Sequence, residues 1–253
     1  MHEGHDGCHG RTRRISRPVA DARDCPPARP AASMGDMSGD AIEVTGLIVR
    51  PGGRGAPRAV SFAVARGEVY AVLGHAGSGK TTVLEAVAGL RRPEAGTVRV
   101  RGTDPFAGPG RAPAGAVWSD GGLFPGLTPR EVVGTWRRWT LDPLAEDRAL
   151  ELADLTDAAD VPFEDLAAGA RRRLDLALAL IGRSDVLLLD EPTAGLGPAD
   201  RREVWTVLRR IAAEGVTVLL ATRDADEACL ADRVGVLDGA RLPGRRTRSF
   251  LAA

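Results

Sequence analysis

Glu68-Val69-Tyr70-Ala71-Val72-Leu73-Gly74-His75-Ala76-Gly77-Ser78-Gly79-Lys80-Thr81-Thr82 is the stretch whose reading decides the fold. Glu68–Leu73 is a short apolar run of the kind that forms a buried strand, and Thr82–Gly89 has helical spacing closed by a glycine. Between them lies Gly-x4-Gly-Lys-Thr, the spacing of a phosphate-binding loop. Its glycines let successive backbone N–H groups curl round an anion, and the following helix aims its positive end at the same place. Gly74, His75, Ala76, Gly77, Ser78, Gly79, Lys80, Thr81 and Thr82 are therefore the candidate phosphate-binding residues. Lys80 is expected to reach the outer phosphates, and the Thr81 hydroxyl to ligate Mg²⁺. Lys80 is also the only lysine among 34 lysines and arginines. A chain this biased toward arginine keeps its one compact ammonium where a planar guanidinium is a poor substitute.

Outward from this loop, the chain alternates buried strands with helices. Ile42–Val49 and Val60–Val64 read as strands around a turn rich in Gly, Pro and Arg, and Gly96–Val100 alternates as an exposed strand does. Ala116–Trp118, Val186–Asp190, Val216–Ala221 and Val234–Leu237 are further strands, the last followed by an Asp238-Gly239 turn. Thr128-Pro129-Arg130-Glu131 has capping-box spacing with proline at the first helical position. Leu174–Ile181 and Ala199–Glu214 are apolar and amphipathic helices. The expected fold is α/β: a P-loop NTPase core of RecA type with a mostly parallel sheet, an antiparallel β subdomain, and a helical insert at about 120–182.

The second informative stretch is Leu187-Leu188-Leu189-Asp190-Glu191-Pro192, two carboxylates at the C-terminal end of a buried strand, about 110 residues after the loop. Ligands of parallel sheets bind at that end. Asp190 is positioned to hold a Mg²⁺ shell and Glu191 to accept a proton from an attacking water.

Composition narrows the class. The formal net charge is zero, so a mainly electrostatic nucleic-acid partner is not expected. No run of 18 apolar residues is present, so the chain is not expected to span a membrane by itself, and its first residues lack the apolar core of a secretory signal. Cys8, Cys25 and Cys229 are odd in number and widely spaced, which suits a reducing compartment. Residues 1–39, rich in Gly, Pro, Arg and Ala, read as a disordered tail before a domain at 40–253. His2, His5, His9 and Cys8 in that tail are either a transition-metal site or simply solvated, and Met34 or Met37 is an alternative start.

In order and spacing these motifs resemble the ATP-binding cassette (ABC) ATPases over roughly residues 41–240. Within that family the chain is most similar to the cytosolic ATPase subunits of bacterial drug- and antibiotic-export systems. Asp120–Thr128, Arg171–Ala177, Val218–Thr222 and Asp226–Ala228 are the flanking stretches that add to the likeness. The resemblance implies an ATPase that uses ATP and Mg²⁺, with Lys80 and Glu191 as catalytic residues and Thr81 and Asp190 at the metal. It implies a head-to-tail dimer with a second ABC ATPase domain, the same chain or another. It also implies a separate membrane permease driven to export, and a place on the cytoplasmic face of the cell membrane. A hydrolysis-deficient regulatory subunit or decaying paralogue is the alternative.

That alternative arises because the chain departs from the family pattern. Where the signature reads Leu-Ser-Gly-Gly-Gln, this chain has Leu166-Ala167-Ala168-Gly169-Ala170. Ser119 stands at the Q-loop glutamine, Gly197 at the D-loop aspartate, Arg223 at the H-loop histidine and Pro51 near the adenine-stacking aromatic. A hydrogen bond to a charged group contributes about 1.5–3 kcal/mol, and losing one aimed at a transition state slows reaction roughly 10²–10³-fold. Arg223 can donate to a terminal phosphate, or it can pair with Asp224 or Glu191 and block the site.

Overall fold

A computed structural model describes residues 39–50, 57–108 and 114–237, together with the short strand Arg248–Ser249. The tail at 1–38, Pro51 and the Asp238-Gly239 turn lie outside the described residues.

The strands are β1 Ile42–Val49, β2 Arg58–Val64, β3 Val69–Leu73, β4 Thr97–Val100, β5 Ala114–Val117, β6 Val186–Asp190, β7 Thr217–Thr222, β8 Arg233–Val236 and β9 Arg248–Ser249. The helices are α1 Lys80–Val87, α2 Pro129–Trp139, α3 Glu146–Leu152, α4 Ala168–Leu180, α5 Pro198–Ala213 and α6 Ala225–Ala228. Strands β2-β1-β4 form an antiparallel sheet. Strands β5-β6-β7-β3-β8-β9 form a sheet whose neighbours all run parallel. The expected division into a parallel core, an antiparallel β subdomain and a helical insert is therefore present.

Period-two alternation sends the parallel sheet's side chains into two cores. Tyr70, Val72, Leu188, Leu219 and Ala221 face α1 and the antiparallel sheet. Val69, Ala71, Leu73, Leu187, Leu189, Val218 and Leu220 face α4 and α5. A third core joins α2, α3 and the other side of α4 through Val132, Val133, Leu150, Leu155 and Leu174. With both faces covered, strands such as Val-Leu-Leu-Leu-Asp are buried at every position.

Two boundaries differ from expectation for physical reasons. Helix α1 begins at Lys80, not Thr82, because the turn after Gly79 is already helical, with Val83 N–H donating to Gly79 O across 3.0 Å. Helix α4 begins at Ala168, not Leu174. Its first turns carry Arg172 and Arg173, each 9% exposed and partnered by backbone oxygens of neighbouring segments. The capping box at Thr128 forms as expected: Glu131 N–H donates to Thr128 Oγ1 across 3.3 Å, and Thr128 N–H to Glu131 Oε2 across 2.9 Å.

Candidate functional site

The site is built at the C-terminal edge of the parallel sheet, where β3, β7 and β6 end side by side with β7 in the middle. Their register sets the level. Leu73 pairs with Thr222, and Asp190 with Ala221, so Gly74, Arg223 and Glu191 leave the sheet at nearly the same height.

From β3 the chain enters the phosphate loop. Gly74 N–H donates to Thr222 O across 3.1 Å, anchoring the loop to β7. Gly79 has φ +100°, a left-handed conformation a side chain resists, and its missing Cβ leaves room for Val49. Gly74, Ser78 and Lys80 are buried, whereas His75, Ala76 and Gly77 form the exposed lip. Lys80 Nζ donates to Gly74 O at 2.9 Å and His75 O at 3.0 Å, so the ammonium closes the loop on itself. Thr82 is half-buried and faces a cleft of about 110 Å³ with Leu47, Ile48 and Ala86. At the lip of that cleft Arg50 holds Glu94 through Nε at 3.0 Å and Nη2 at 2.9 Å.

From β6 come the two carboxylates. Thr81 Oγ1 donates to Asp190 Oδ2 across 2.8 Å. A hydroxyl and a carboxylate oxygen facing one another suit a hard divalent ion. No cluster of three or more His, Cys, Asp or Glu with metal-holding geometry exists among the described residues. Glu191 has φ +50° and is fixed by its N–H donating to Ala221 O across 2.8 Å. Its Oε1 lies 3.6 Å from Lys80 Nζ. Its Oε2 accepts from Arg223 N–H at 3.3 Å and lies 4.0 Å from Arg223 Nε. The structure thus places Lys80, Thr81, Asp190, Glu191 and Arg223 at one sheet edge, whereas Thr82 lines the separate cleft beside Leu47 and Ala86.

Of the two pairings open to Arg223, the one with Glu191 forms, loosely. Asp224 instead pairs with Arg201 and caps α6, its Oδ1 accepting from the Asp226 and Glu227 amides. Burial pushes the Asp224 pKa up, but the α6 amides and Arg201 outweigh it and hold the carboxyl below its ordinary value.

Sequence reasoning missed what holds the edge together. Glu227, 2% exposed, accepts from Thr193 Oγ1 and Thr222 Oγ1, each at 2.6 Å. It clamps the loop after β6 to the end of β7. Burial raises its pKa against the pull of the two hydroxyls. No sequence signal singles it out from Asp224 and Asp226 beside it. Arg172 is a second such tie, donating to Trp118 O at 3.2 Å and Ser119 O at 3.1 Å. Beside it Asp175 accepts from Gly122 N–H at 3.0 Å. Helix α4 is thereby fastened to the segment that carries Ser119.

Of the remaining departures, Ser119, Gly197, Ala167 and Ala168 are exposed, whereas Ala170 is buried in the core beneath α4. Ser119 follows β5, Gly197 precedes α5, and Ala167 and Ala168 open α4 with no side-chain cap. Gly169, the glycine retained in that stretch, is buried, and a Cβ there would stand 2.8 Å from Asp200 Cβ. Packing against α5 accounts for its retention.

A phosphate loop with its lysine, an aspartate joined to the loop threonine and a glutamate beside both define a P-loop nucleotide-binding protein. Residues 57–194 match the family model described as ABC transporter, and the chain belongs to that family. It is 38% identical over 225 residues to the daunorubicin/doxorubicin resistance ATP-binding protein DrrA of Streptomyces peucetius, covering 83% of this chain and 66% of that protein. It is 39% identical over 208 residues to the Nod factor export ATP-binding protein I of Ralstonia nicotianae, covering 79% and 65%. The chain spans just under two thirds of the length of both relatives. Among solved structures it is similar to cbiO1 of Clostridium perfringens, described as part of the ABC transporter complex cbiONQ. The TM-score is 0.68 at 27% identity, covering 79% of this chain and 85% of that one. No helix among the described residues is long and apolar enough to cross a membrane.

Proposed function

We propose that this chain is the ATP-binding and ATP-hydrolysing subunit of an ABC exporter, acting through a separate membrane permease. The observation that carries this is the Lys80–Glu191 and Thr81–Asp190 pairing at one sheet edge. The loop N–H groups and Lys80 bind the outer phosphates of ATP. Thr81 and Asp190 hold Mg²⁺, which supplies charge neutralisation to those phosphates. Glu191 takes the proton of a water whose oxygen bonds to the terminal phosphorus, while the bond to the bridging oxygen breaks and ADP leaves.

The partners are a second ABC ATPase domain, the same chain or another, and a permease. The permease seat is a cleft of about 420 Å³ between the end of β5 and the helical insert, lined by Trp118, Phe124 and Trp136. Leu123 and Trp139 beside it are 80% and 78% exposed, an apolar surface suited to a protein partner. The name of the Nod factor export relative supports export as the direction, and the chain's place is the cytoplasmic face of the cell membrane.

The test is MgATP turnover and ATP binding on the same purified sample, with Lys80→Ala and Glu191→Gln as controls. Turnover abolished by both substitutions is expected. ATP binding with no turnover, alone and with its permease, would overturn the hydrolytic reading.

A further inference from the structure

The backbone of Glu191 is held in the left-handed region, at φ +50°. A side chain disfavours that conformation, and it persists only where the surroundings over-determine it. Two backbone bonds contribute. Glu191 N–H donates to Ala221 O at 2.8 Å, and its carbonyl accepts from Ala194 N–H at 3.1 Å. A third tie enters from the side of this turn. Thr193 Oγ1 donates to Glu227 Oε1 at 2.6 Å. Glu227 is itself seated on the end of β7. Its other oxygen accepts from Thr222 Oγ1 at 2.6 Å, and the same hydroxyl accepts from Asp224 N–H at 3.0 Å.

We propose that Glu227 is a positioning residue for Glu191: through Thr193 it holds the turn after β6, and with it the Glu191 carboxylate, at a fixed distance from the phosphate loop. This rests on the hydrolytic reading above. Glu227, Thr193 and Thr222 are each 2% exposed or less, so water has no ready access to replace a lost partner. A carboxylate is a costly group to bury, and an apolar contact between the turn and β7 would also hold them together. What an apolar contact lacks is direction. Two oxygens of one rigid group, each bonded to a different hydroxyl, set the spacing of residues 193 and 222 to within hydrogen-bond tolerance. Without that brace the turn is free to relax from the strained φ of Glu191, and its carboxylate moves away from the place beside Lys80. A misplacement of about 1 Å in a reacting group slows reaction on the order of 10²-fold.

The experiment is a double-mutant cycle on the full chain with its permease. Glu227→Ala, Glu227→Gln and Thr193→Val are made alone and together with Glu191→Gln, and thermal melts establish which variants fold. Single-turnover hydrolysis of labelled ATP and titration with Mg-AMP-PNP are the readouts. Glu227→Ala and Thr193→Val are each expected to slow hydrolysis about 10- to 100-fold, with AMP-PNP affinity held within about twofold. Glu227→Gln can accept from one threonine and donate to the other, so it is expected to stay within about threefold of wild type. In the Glu191→Gln background the same changes are expected to cost less than about twofold, because the group they position is already disabled. Should Glu227→Ala not fold, Thr193→Val carries the cycle. Equal losses in both backgrounds, AMP-PNP affinity falling with the rate, or Glu227→Gln as slow as Glu227→Ala each overturn the proposal and leave the hydrolytic site standing. Wild type that binds AMP-PNP and never hydrolyses ATP overturns the hydrolytic reading, and this proposal with it.

Discussion

The Thr81 hydroxyl donates to Asp190 across 2.8 Å, joining the first turn of α1 to the last residue of β6. In the proposed site these two oxygens would be the protein's share of a magnesium shell, so their loss has a specific signature. Asp190→Asn keeps the shape and removes the charge. ATP affinity measured in chelator is expected to stay within about twofold, while the gain on adding Mg²⁺ disappears and turnover falls by about 10²-fold or more. Titration with and without Mg²⁺ checks both parts. An unchanged Mg²⁺ dependence would remove Asp190 from the metal.

Glu191→Gln is nearly isosteric and cannot accept the proton. Turnover is expected to fall about 10²–10⁴-fold with nucleotide binding retained. Because the carboxylate also faces Lys80 and Arg223, removing its charge frees both cations for phosphate. Triphosphate affinity is therefore expected to rise. Parallel single-turnover and binding measurements separate the two effects.

How far the sequence carries this site depends on whether the residues sit next to one another in the chain. The loop from Gly74 to Thr82 is local: glycine positions, lysine and strand-to-helix change lie within one window, and each takes the place its spacing implies. Asp190 and Glu191 are legible because a fully apolar strand delivers them to a known edge. Arg172 and Glu227 are not. Each is one charged residue in a charged run, Arg171–Arg173 or Asp224–Glu227, and only tertiary packing selects which member goes inside. Packing likewise sets the start of α4 ahead of the apolar run at Leu174, with its buried arginines partnered by Trp118, Ser119 and Asp154.

Glu227 yields a pH prediction. Burial raises its pKa in the fold, so the native state favours the protonated form more than the unfolded chain does. Below the unfolded value of about 4.3 the carboxyl is neutral in both states and no cost is felt. As pH rises from there to the raised folded value, the unfolded chain ionises first and stability is lost. Above the folded value the loss is constant. Glu227→Gln is neutral throughout, so its stability relative to wild type is expected to improve as pH goes from about 4 to about 7. Denaturant unfolding across that range tests it, and a relative stability independent of pH would contradict it. Glu227→Ala leaves two buried hydroxyls without an acceptor and is expected to cost about 2–4 kcal/mol at any pH.

Helix α4 begins at Ala168 with Ala167 extended before it at φ −58°, ψ 153° and no side chain covering the first amides. Ala167→Ser supplies a hydroxyl at a position whose backbone already suits a cap. Stability is expected to rise by about 0.5–2 kcal/mol, seen in the melting temperature with or without nucleotide. In the proposed dimer this exposed end faces the partner's nucleotide, where the same hydroxyl donates to the terminal phosphate. Turnover is then expected to rise about tenfold, the equivalent of one modest charge-assisted bond. Gly169→Ala is the contrasting variant. Its Cβ would press on Asp200 at 2.8 Å, costing about 1–3 kcal/mol with no donor gained. A higher melting temperature in Ala167→Ser without faster turnover would mean that the end of α4 is turned away from any nucleotide in the working assembly.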